Sequence, residues 1–352
     1  MFLKHKFGLG NTLKAIKARL VAGGHQQDLS QIDPENISSS TLRTASFNVL
    51  LNFAAYHKMD LSIIDIKSAY LHAKLPDDVV IHMTIIKEIT AMIVKIDPKA
   101  LKFVDNKGEL TVRLRKALYG LVQSAKLWYD RISEELAVLG YHPLPKSIDP
   151  NVFKSENGKF FIGVFVDDLG AVADKAETDR IAAHLTSVFG PLKFQTGDKL
   201  SWLGIDIVRD IEGGSMTLSQ TDFIERSVEK FKKILKVNKF EESNLPASDD
   251  LFRTANQDFK QKDLNLPMLS IVMSIAYLSQ RTRPDLQCVV SYFTTRSYHH
   301  DPKDMEKLKK LIGYIIKTRN KVLTFSPTEL RIYCMSDASY GIHAKNESHT
   351  GI

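Results

Sequence analysis

Cysteine is nearly absent: Cys288 and Cys334 are the two in 352 residues, and no C-x-x-C pair occurs. That excludes a disulfide framework and a structural zinc site, and makes a reducing compartment the default. Long apolar runs are missing as well. No segment reaches the roughly 18 apolar residues of a membrane span. The start, Met1-Phe2-Leu3-Lys4-His5-Lys6-Phe7, lacks the apolar centre of a signal peptide. The expectation is an intracellular chain with no membrane partner, its compartment and oligomeric state open. There is no internal repeat and no low-complexity tract. Nor is there an extreme charge: 48 basic against 41 acidic side chains leave a formal +7, which suits a polyanion partner but does not require one.

What is present is ordinary globular material, 43% hydrophobic and 25% charged, long enough for two or three packed subdomains. The basic residues cluster at Lys14, Lys17 and Arg19, again over Lys230, Lys232, Lys233, Lys236 and Lys239, and again over Lys303, Lys307, Lys309, Lys310 and Lys317. Each cluster alone also fits a solvated helix or strand face.

Local pattern predicts a hairpin over residues 7–22 with its turn at Gly8-Leu9-Gly10-Asn11, a helix over 41–57, and strands over 61–66, 79–83 and 110–114. Residues 84–108 carry no assignable period. A helix follows over 124–139, with Ser124 as a cap and Gly140 just beyond its end. Residues 159–173 predict a β-hairpin, 178–189 a helix, and 200–208 and 216–219 strands around Gly213-Gly214. Residues 222–235, 269–278 and 302–317 predict helices, 245–266 a linker, and 330–335 a last strand before Asp337. Strands and helices interleave without regular βαβ alternation, so the fold class is α+β.

Three carboxylates sit where charge is costly. Asp65 ends one apolar strand, and Asp167-Asp168 cap an apolar hairpin. A buried carboxylate needs a positive partner. Two Mg²⁺ ions, with Mn²⁺ as a substitute, would supply it. Paired metals about 4 Å apart clamp the two oxygens of an in-line displacement, and Mg²⁺ takes carboxylate, water and phosphate oxygens. Asp-Asp also occurs in ordinary turns.

The wider context resembles Ty1/copia-type reverse transcriptases. Lys17-Ala18-Arg19-Leu20-Val21-Ala22 is similar to the family's opening "KARLVA" strand. Asp65-Ile66-Lys67-Ser68-Ala69-Tyr70-Leu71 resembles "DVKTAFL". Residues 116–129, with Lys116-Ala117-Leu118-Tyr119-Gly120-Leu121, Gln123-Ser124 and Leu127-Trp128-Tyr129, resemble "KALYGLKQSPRAWY". Phe165-Val166-Asp167-Asp168 is similar to "YVDD", and Trp202-Leu203-Gly204-Ile205-Asp206-Ile207 to "YLGIEI". Arg281-Thr282-Arg283-Pro284-Asp285 matches "RTRPD", and Ser336-Asp337-Ala338 resembles the "SDAD" that opens the family's RNase H domain. The seven follow family order over nearly the whole chain.

The resemblance implies a right-hand polymerase fold: fingers, a palm with a split βαβ antiparallel sheet, and a thumb over 1–240. It implies a linker and helical connection over 241–328, then a truncated RNase H-like start over 329–352. The implied activity is RNA-directed DNA polymerisation, extending a primer on RNA or DNA with dNTPs. Asp65 and Asp167 would bind the two metals, with Asp168 beside them. Lys17 and Arg19 would meet the triphosphate, and Tyr70 would exclude a 2′-hydroxyl or, equally, fill a core. Tyr119, Gly120 and Gln123 would lie under the incoming base pair. Trp202, Leu203 and Gly204 would form a primer-holding hairpin, Trp202 also fitting a buried strand position. Lys230 and Lys233 on the thumb helix would grip phosphates. Asp337 is a lone RNase H acid, so no RNase H activity is expected, and the chain reads as a polyprotein fragment or a decayed copy. Departures are Gly23-Gly24-His25 where the family has Arg-Gly-Phe, Phe165 for Tyr, and Ala125 for Pro. A catalytically inactive relic and a non-catalytic basic nucleic-acid-binding protein are the alternatives; the latter leaves acids at the ends of apolar strands unexplained.

Overall fold

The computed structural model describes residues 2–7, 13–253, 266–297, 300–339, 341 and 349–351. In chain order the elements are β1 (Phe2–Phe7), β2 (Leu13–Arg19), α1 (Thr44–Tyr56), β3 (Asp60–Asp65), β4 (Ile81–Ile85), α2 (Lys87–Ile96), β5 (Leu110–Leu114), α3 (Ser124–Val138), β6 (Tyr141–Pro143), β7 (Val152–Ser155), β8 (Phe161–Phe165), β9 (Asp168–Ala173), α4 (Lys175–Phe189), β10 (Lys193–Gln195), β11 (Lys199–Trp202), β12 (Ile205–Asp210), β13 (Ser215–Ser219), α5 (Thr221–Leu235), α6 (Leu266–Arg281), α7 (Gln287–Arg296), α8 (Pro302–Lys317), β14 (Leu323–Phe325), β15 (Asp337–Ser339) and β16 (His349–Gly351). The class is α+β. Two compact units form, Met1–Ser46 with Ile64–Phe194, and Phe47–Ile63 with Gln195–Ile352.

The first unit is built on a six-stranded sheet in the order β10-β3-β9-β8-β7-β6. Leaving aside β4, α2 and β5, the chain runs β3-α3-β8-β9-α4-β10, with β6 and β7 added at the far edge. Those four strands stand in the order fourth, first, third, second: the split β-α-β-β-α-β arrangement. The sequence cause is plain in β3 and β9, whose interiors are buried on successive residues and apolar except for Ser62 in β3, as expected of strands covered on both faces. Ile64, Ile162, Val164, Leu169 and Ala171 meet Trp128, Ile132 and Leu136 from α3 and Ile181 and Leu185 from α4. Each large side chain so buried contributes about 1.5–3 kcal/mol. Helix α4 starts at Lys175, three residues before the expected start, because Asp174 caps it by accepting from Glu177 N–H. Ser124 does not cap α3 as expected. Its hydroxyl donates to Leu118 O at 2.7 Å, and Gln123 holds the cap position. Gly140, at φ 74°, follows α3 in the left-handed conformation that suits a helix end.

The second unit contains the antiparallel sheet β11-β12-β13-β14. It also contains a helical core in which Ile224, Val228 and Phe231 of α5 meet Ile275 of α6, Phe293 of α7 and Leu308 and Ile312 of α8. The spacing of four and three on α5 makes one apolar stripe and leaves the lysines opposite.

Four expectations are corrected. Residues 200–208 are a hairpin, not one strand: Trp202 pairs with Ile205 across a two-residue turn. The strand expected over 79–83 is β4, Ile81–Ile85, and α2 occupies part of the unassigned 84–108. Residues 331–336 are not a strand; they are exposed and irregular, and pairing begins at Asp337. Helix α7 and strands β6, β7 and β14 were not expected. The turn expected at 8–11 lies outside the described residues, although β1 and β2 do pair antiparallel.

Candidate active site

Asp65 is the last residue of β3, and β3 neighbours β9 in the sheet. Phe165 pairs with Asp168, so Val166 and Asp167 are the two turn residues between β8 and β9. Val166 has φ 56°, the φ pattern of a II′ turn, where glycine is usual. A β-branched residue held left-handed is strained. Two hydrogen bonds hold it. Trp128 Nε1 donates to Val166 O at 2.6 Å, and Ile66 N–H donates to Asp167 O at 3.0 Å. The second bond sets the residue after Asp65 directly against Asp167, bringing together two acids far apart in sequence.

The electrostatics follow from that crowding. The Asp168 carboxyl is pushed up to about 6, first by burial, then by the charges of Asp167 and Asp65, with Lys193 opposing. Lys193 opens β10, the edge strand beside β3, and its Nζ lies 2.7 Å from Asp65 Oδ2. That bond to Asp65, more than anything else, raises the lysine's own pKa.

Next to the acids is a tilted aromatic pair. The rings of Tyr70 and Tyr119 lie 4.9 Å apart, and the Arg19 guanidinium sits 5.0 Å from the Tyr119 centroid, within cation–π range. Burial raises both phenols; Tyr119 and Asp167 add to this at Tyr70, and Asp167 adds at Tyr119 while Arg19 opposes it. Both hydroxyls therefore remain protonated donors near neutral pH. Arg19, Asp65, Tyr70, Tyr119, Asp167, Asp168 and Lys193 thus form one constellation in the first unit. Lys17 is in β2, and its side chain lies outside the described residues.

Gly120 and Gln123 are occupied by the protein's own chain. Gly120 has φ 92°, and a Cβ there would fall 2.3 Å from Ala22 O. Gln123 is buried and its Oε1 accepts from Gln27 Nε2 at 3.1 Å, while Gln27 Oε1 accepts from Val122 N–H at 2.9 Å. A cleft of about 860 Å³ opens beside this join, lined among others by Gln27, Val80, His82, Thr84 and Gln123, and the acids are not in its lining.

Carboxylate oxygens are the donors that hard divalent ions prefer. Among the described residues no group of three or more His, Cys, Asp and Glu side chains forms a complete metal cage. Two acids suffice for an ion that completes its shell with water and substrate phosphate, and at Asp168 burial together with the charges of Asp167 and Asp65 outweighs the relief from Lys193.

The sequence pattern of the family described as reverse transcriptase (RNA-dependent DNA polymerase) matches residues 4–240. The chain belongs to this reverse transcriptase family. Its relatives are of the Ty1/copia type. A retrovirus-related Pol polyprotein from transposon TNT 1-94 of Nicotiana tabacum is 27% identical over 340 residues, 94% of this chain and 24% of that protein. The putative transposon Ty5-1 protein of Saccharomyces cerevisiae is 28% identical over 232 residues, 64% of this chain and 71% of that one. The Ty1-BL Gag-Pol polyprotein of the same yeast is 25% identical over 364 residues, 95% of this chain and 19% of its own length. The chain therefore spans about a quarter of the tobacco polyprotein. A foamy viral protease-reverse transcriptase solved with double-stranded DNA superposes with a TM-score of 0.40 at 12% identity, over 81% of this chain and 39% of that one, too low a likeness to carry weight.

The remaining residues expected from the reverse transcriptase resemblance lie in the second unit. Trp202 is 1% exposed and its ring meets Phe47 at 5.0 Å. The expectation that it contacts a primer is corrected: this ring is core. Leu203 and Gly204 form the β11–β12 turn, with φ 52° and 73°, the φ pattern of a I′ turn. Their carbonyls are already held, Leu203 O by Tyr277 Oη at 2.9 Å and Gly204 O by Gln220 Nε2 at 3.2 Å. Lys230 Nζ donates to Ser270 Oγ at 3.1 Å, and Lys233 is exposed. Asp337 is exposed at the start of β15. Two residues escaped the sequence reading. Trp128 enters the sequence reading only within the 116–129 segment, with no role of its own, and Lys193 lies in none of the seven segments. Its one signal was a lone cation in a short apolar segment following a helix end.

Proposed function

We propose that this chain is the polymerase region of a retrotransposon reverse transcriptase, adding dNTPs to a primer on an RNA or DNA template. The observation that carries the reading is the hydrogen bond from Ile66 N–H to Asp167 O, which joins two acid-bearing strand ends within the split β-α-β-β-α-β sheet. In this reading that sheet is the palm, β1–β2 and the β4–α2–β5 segment are fingers, and α5 is the thumb helix, within 1–240. Residues 241–328 are the connection and 329–352 an RNase H-like start. Asp65 and Asp167 would hold divalent ions, Mg²⁺ or Mn²⁺, which when bound polarise the attacking 3′-hydroxyl and neutralise the leaving pyrophosphate.

The chain's own groups do the rest. Asp168 keeps the local field negative. The tilted Tyr70–Tyr119 pair presents two protonated hydroxyls and ring edges to the sugar and base, and Tyr70 excludes a 2′-hydroxyl. Arg19, held over Tyr119, faces the triphosphate with a charge that grips harder as negative charge develops. Lys17 acts beside it. Gly120 and Gln123 shape the floor by locking the 119–123 loop to residues 22–27. Leu203 and Gly204 present the primer hairpin. Lys230 and Lys233 contact phosphates without reading sequence, so affinity falls as salt rises.

The test is dNTP incorporation on a primed RNA template with Mg²⁺, comparing the unaltered chain with Asp167→Asn. Losing a metal ligand removes several kcal/mol of transition-state stabilisation, so incorporation should drop by about a thousand-fold or more, with duplex binding retained. Equal incorporation by both proteins rejects the assignment.

A further inference from the structure

Lys193 lies in none of the seven segments that carry the family resemblance, yet its ammonium lies 2.7 Å from Asp65 Oδ2. We propose that Lys193 is a placeholder cation: in the metal-free protein it fills the charge position beside Asp65 that a divalent ion takes on loading, and it must swing away for that ion to bind. The inference rests on the reading of Asp65 and Asp167 as metal ligands.

Sheet order sets the pairing. β10 is the edge strand next to β3, so its first residue falls beside the acid-bearing end of β3. The pair is lopsided in exposure: the lysine side chain is 59% exposed and the aspartate 28%. The acid is set in the sheet, whereas the lysine stem reaches in from solvent and is free to leave. Its field also acts on Asp167 and Asp168, so one flexible charge offsets three crowded carboxylates. Without a cation these acids would repel one another across a half-buried site. A divalent ion at 2.0–2.1 Å from the same oxygen, the usual Mg²⁺ distance, would share a ligand with the ammonium and repel it. An exposed ion pair of this kind is worth at most about 1 kcal/mol: enough to quiet the empty site, too little to block loading.

The experiment uses Mn²⁺ alone, with no nucleotide, titrated by electron paramagnetic resonance into the full chain, and thermal unfolding in EDTA. Lys193→Met keeps the stem length and removes the charge. It should bind Mn²⁺ about fivefold tighter, the equivalent of one exposed pair, and melt lower than the unaltered chain in EDTA but not in saturating Mn²⁺. Lys193→Arg, which keeps a cation, should bind Mn²⁺ no tighter than the unaltered chain. Unchanged or weaker Mn²⁺ binding by Lys193→Met, with binding lost in Asp167→Asn, overturns the placeholder and leaves the metal ligands standing. Binding that persists in Asp167→Asn, or is undetectable in every protein, overturns the metal assignment itself. A lower melting point for Lys193→Met in both EDTA and Mn²⁺ makes the lysine merely structural and also overturns the proposal.

Discussion

Val166 carries the acids on a backbone conformation that its own side chain opposes. Left-handed geometry costs an L-residue about 1–2 kcal/mol, and the β8–β9 turn keeps it because Trp128 and Ile66 hydrogen-bond the tip from both sides. Strain held this way positions the turn, and with it Asp167. Val166→Gly removes the strain, but glycine adds about 0.5–1 kcal/mol of unfolded-chain entropy and forfeits the contact that partly buried Val166 makes with the core. The three terms nearly cancel. Urea unfolding of Val166→Gly should therefore shift stability by under about 1 kcal/mol, while Val172→Gly, at a fully buried strand position, should lose several kcal/mol as cavity-forming changes do. Incorporation should still fall in Val166→Gly, because the turn is no longer held to one shape. A large loss of stability in Val166→Gly would show that the strain is not where the φ angle puts it.

At the scale of elements, the loops around Gly24 and Gly120 cross so closely that no side chain fits between them. A Cβ on Gly24 would fall 1.9 Å from Gly120 O, whereas one on Gly23 would meet only the flexible end of Gln26, at 3.1 Å from Oε1. Gly24→Ala should therefore force backbone apart and cost about 1–3 kcal/mol, the range for overpacking, seen as a lower thermal midpoint; Gly23→Ala should change it little. The contrast matches the family pattern, in which Arg stands at the first position and Gly at the second. It also shows which elements were legible. Apolar runs ending in acids announced β3 and the β8–β9 hairpin, because burial on both faces leaves a continuous apolar signature. Local pattern missed the β11–β12 hairpin, which only the resemblance implied, because Leu203 occupies a left-handed position without advertising it. Helix α2 was there to be read: Ile89, Ile93 and Val94 fall on one half-buried face beside Thr90, at helical spacing, although Thr90 alone of its ten residues is fully buried. Lys193 hid because its partner is set by strand order, which spacing along the chain does not encode.

At the scale of the whole molecule, the family match and the packing end in different places. The match stops at residue 240, but α5 is finished by residues beyond it. Ile224, Val228, Phe231 and Phe240 share one core with Met268, Ile275, Phe293, Leu308 and Ile312, and β13 is covered at its edge by β14 through Met216 and Phe325. A chain ended at 240 would bare that apolar stripe, at about 1.5–3 kcal/mol for each large side chain, and open a strand edge to pairing with other copies. A chain ended at 328 loses neither, since residues 330–338 are exposed throughout. The expected outcome is that the 1–328 chain melts like the full chain and elutes as a single species. The 1–240 chain should melt at lower temperature, bind a hydrophobic dye and aggregate with time. Equal melting of the two shortened chains would mean that α5 stands without its helical partners.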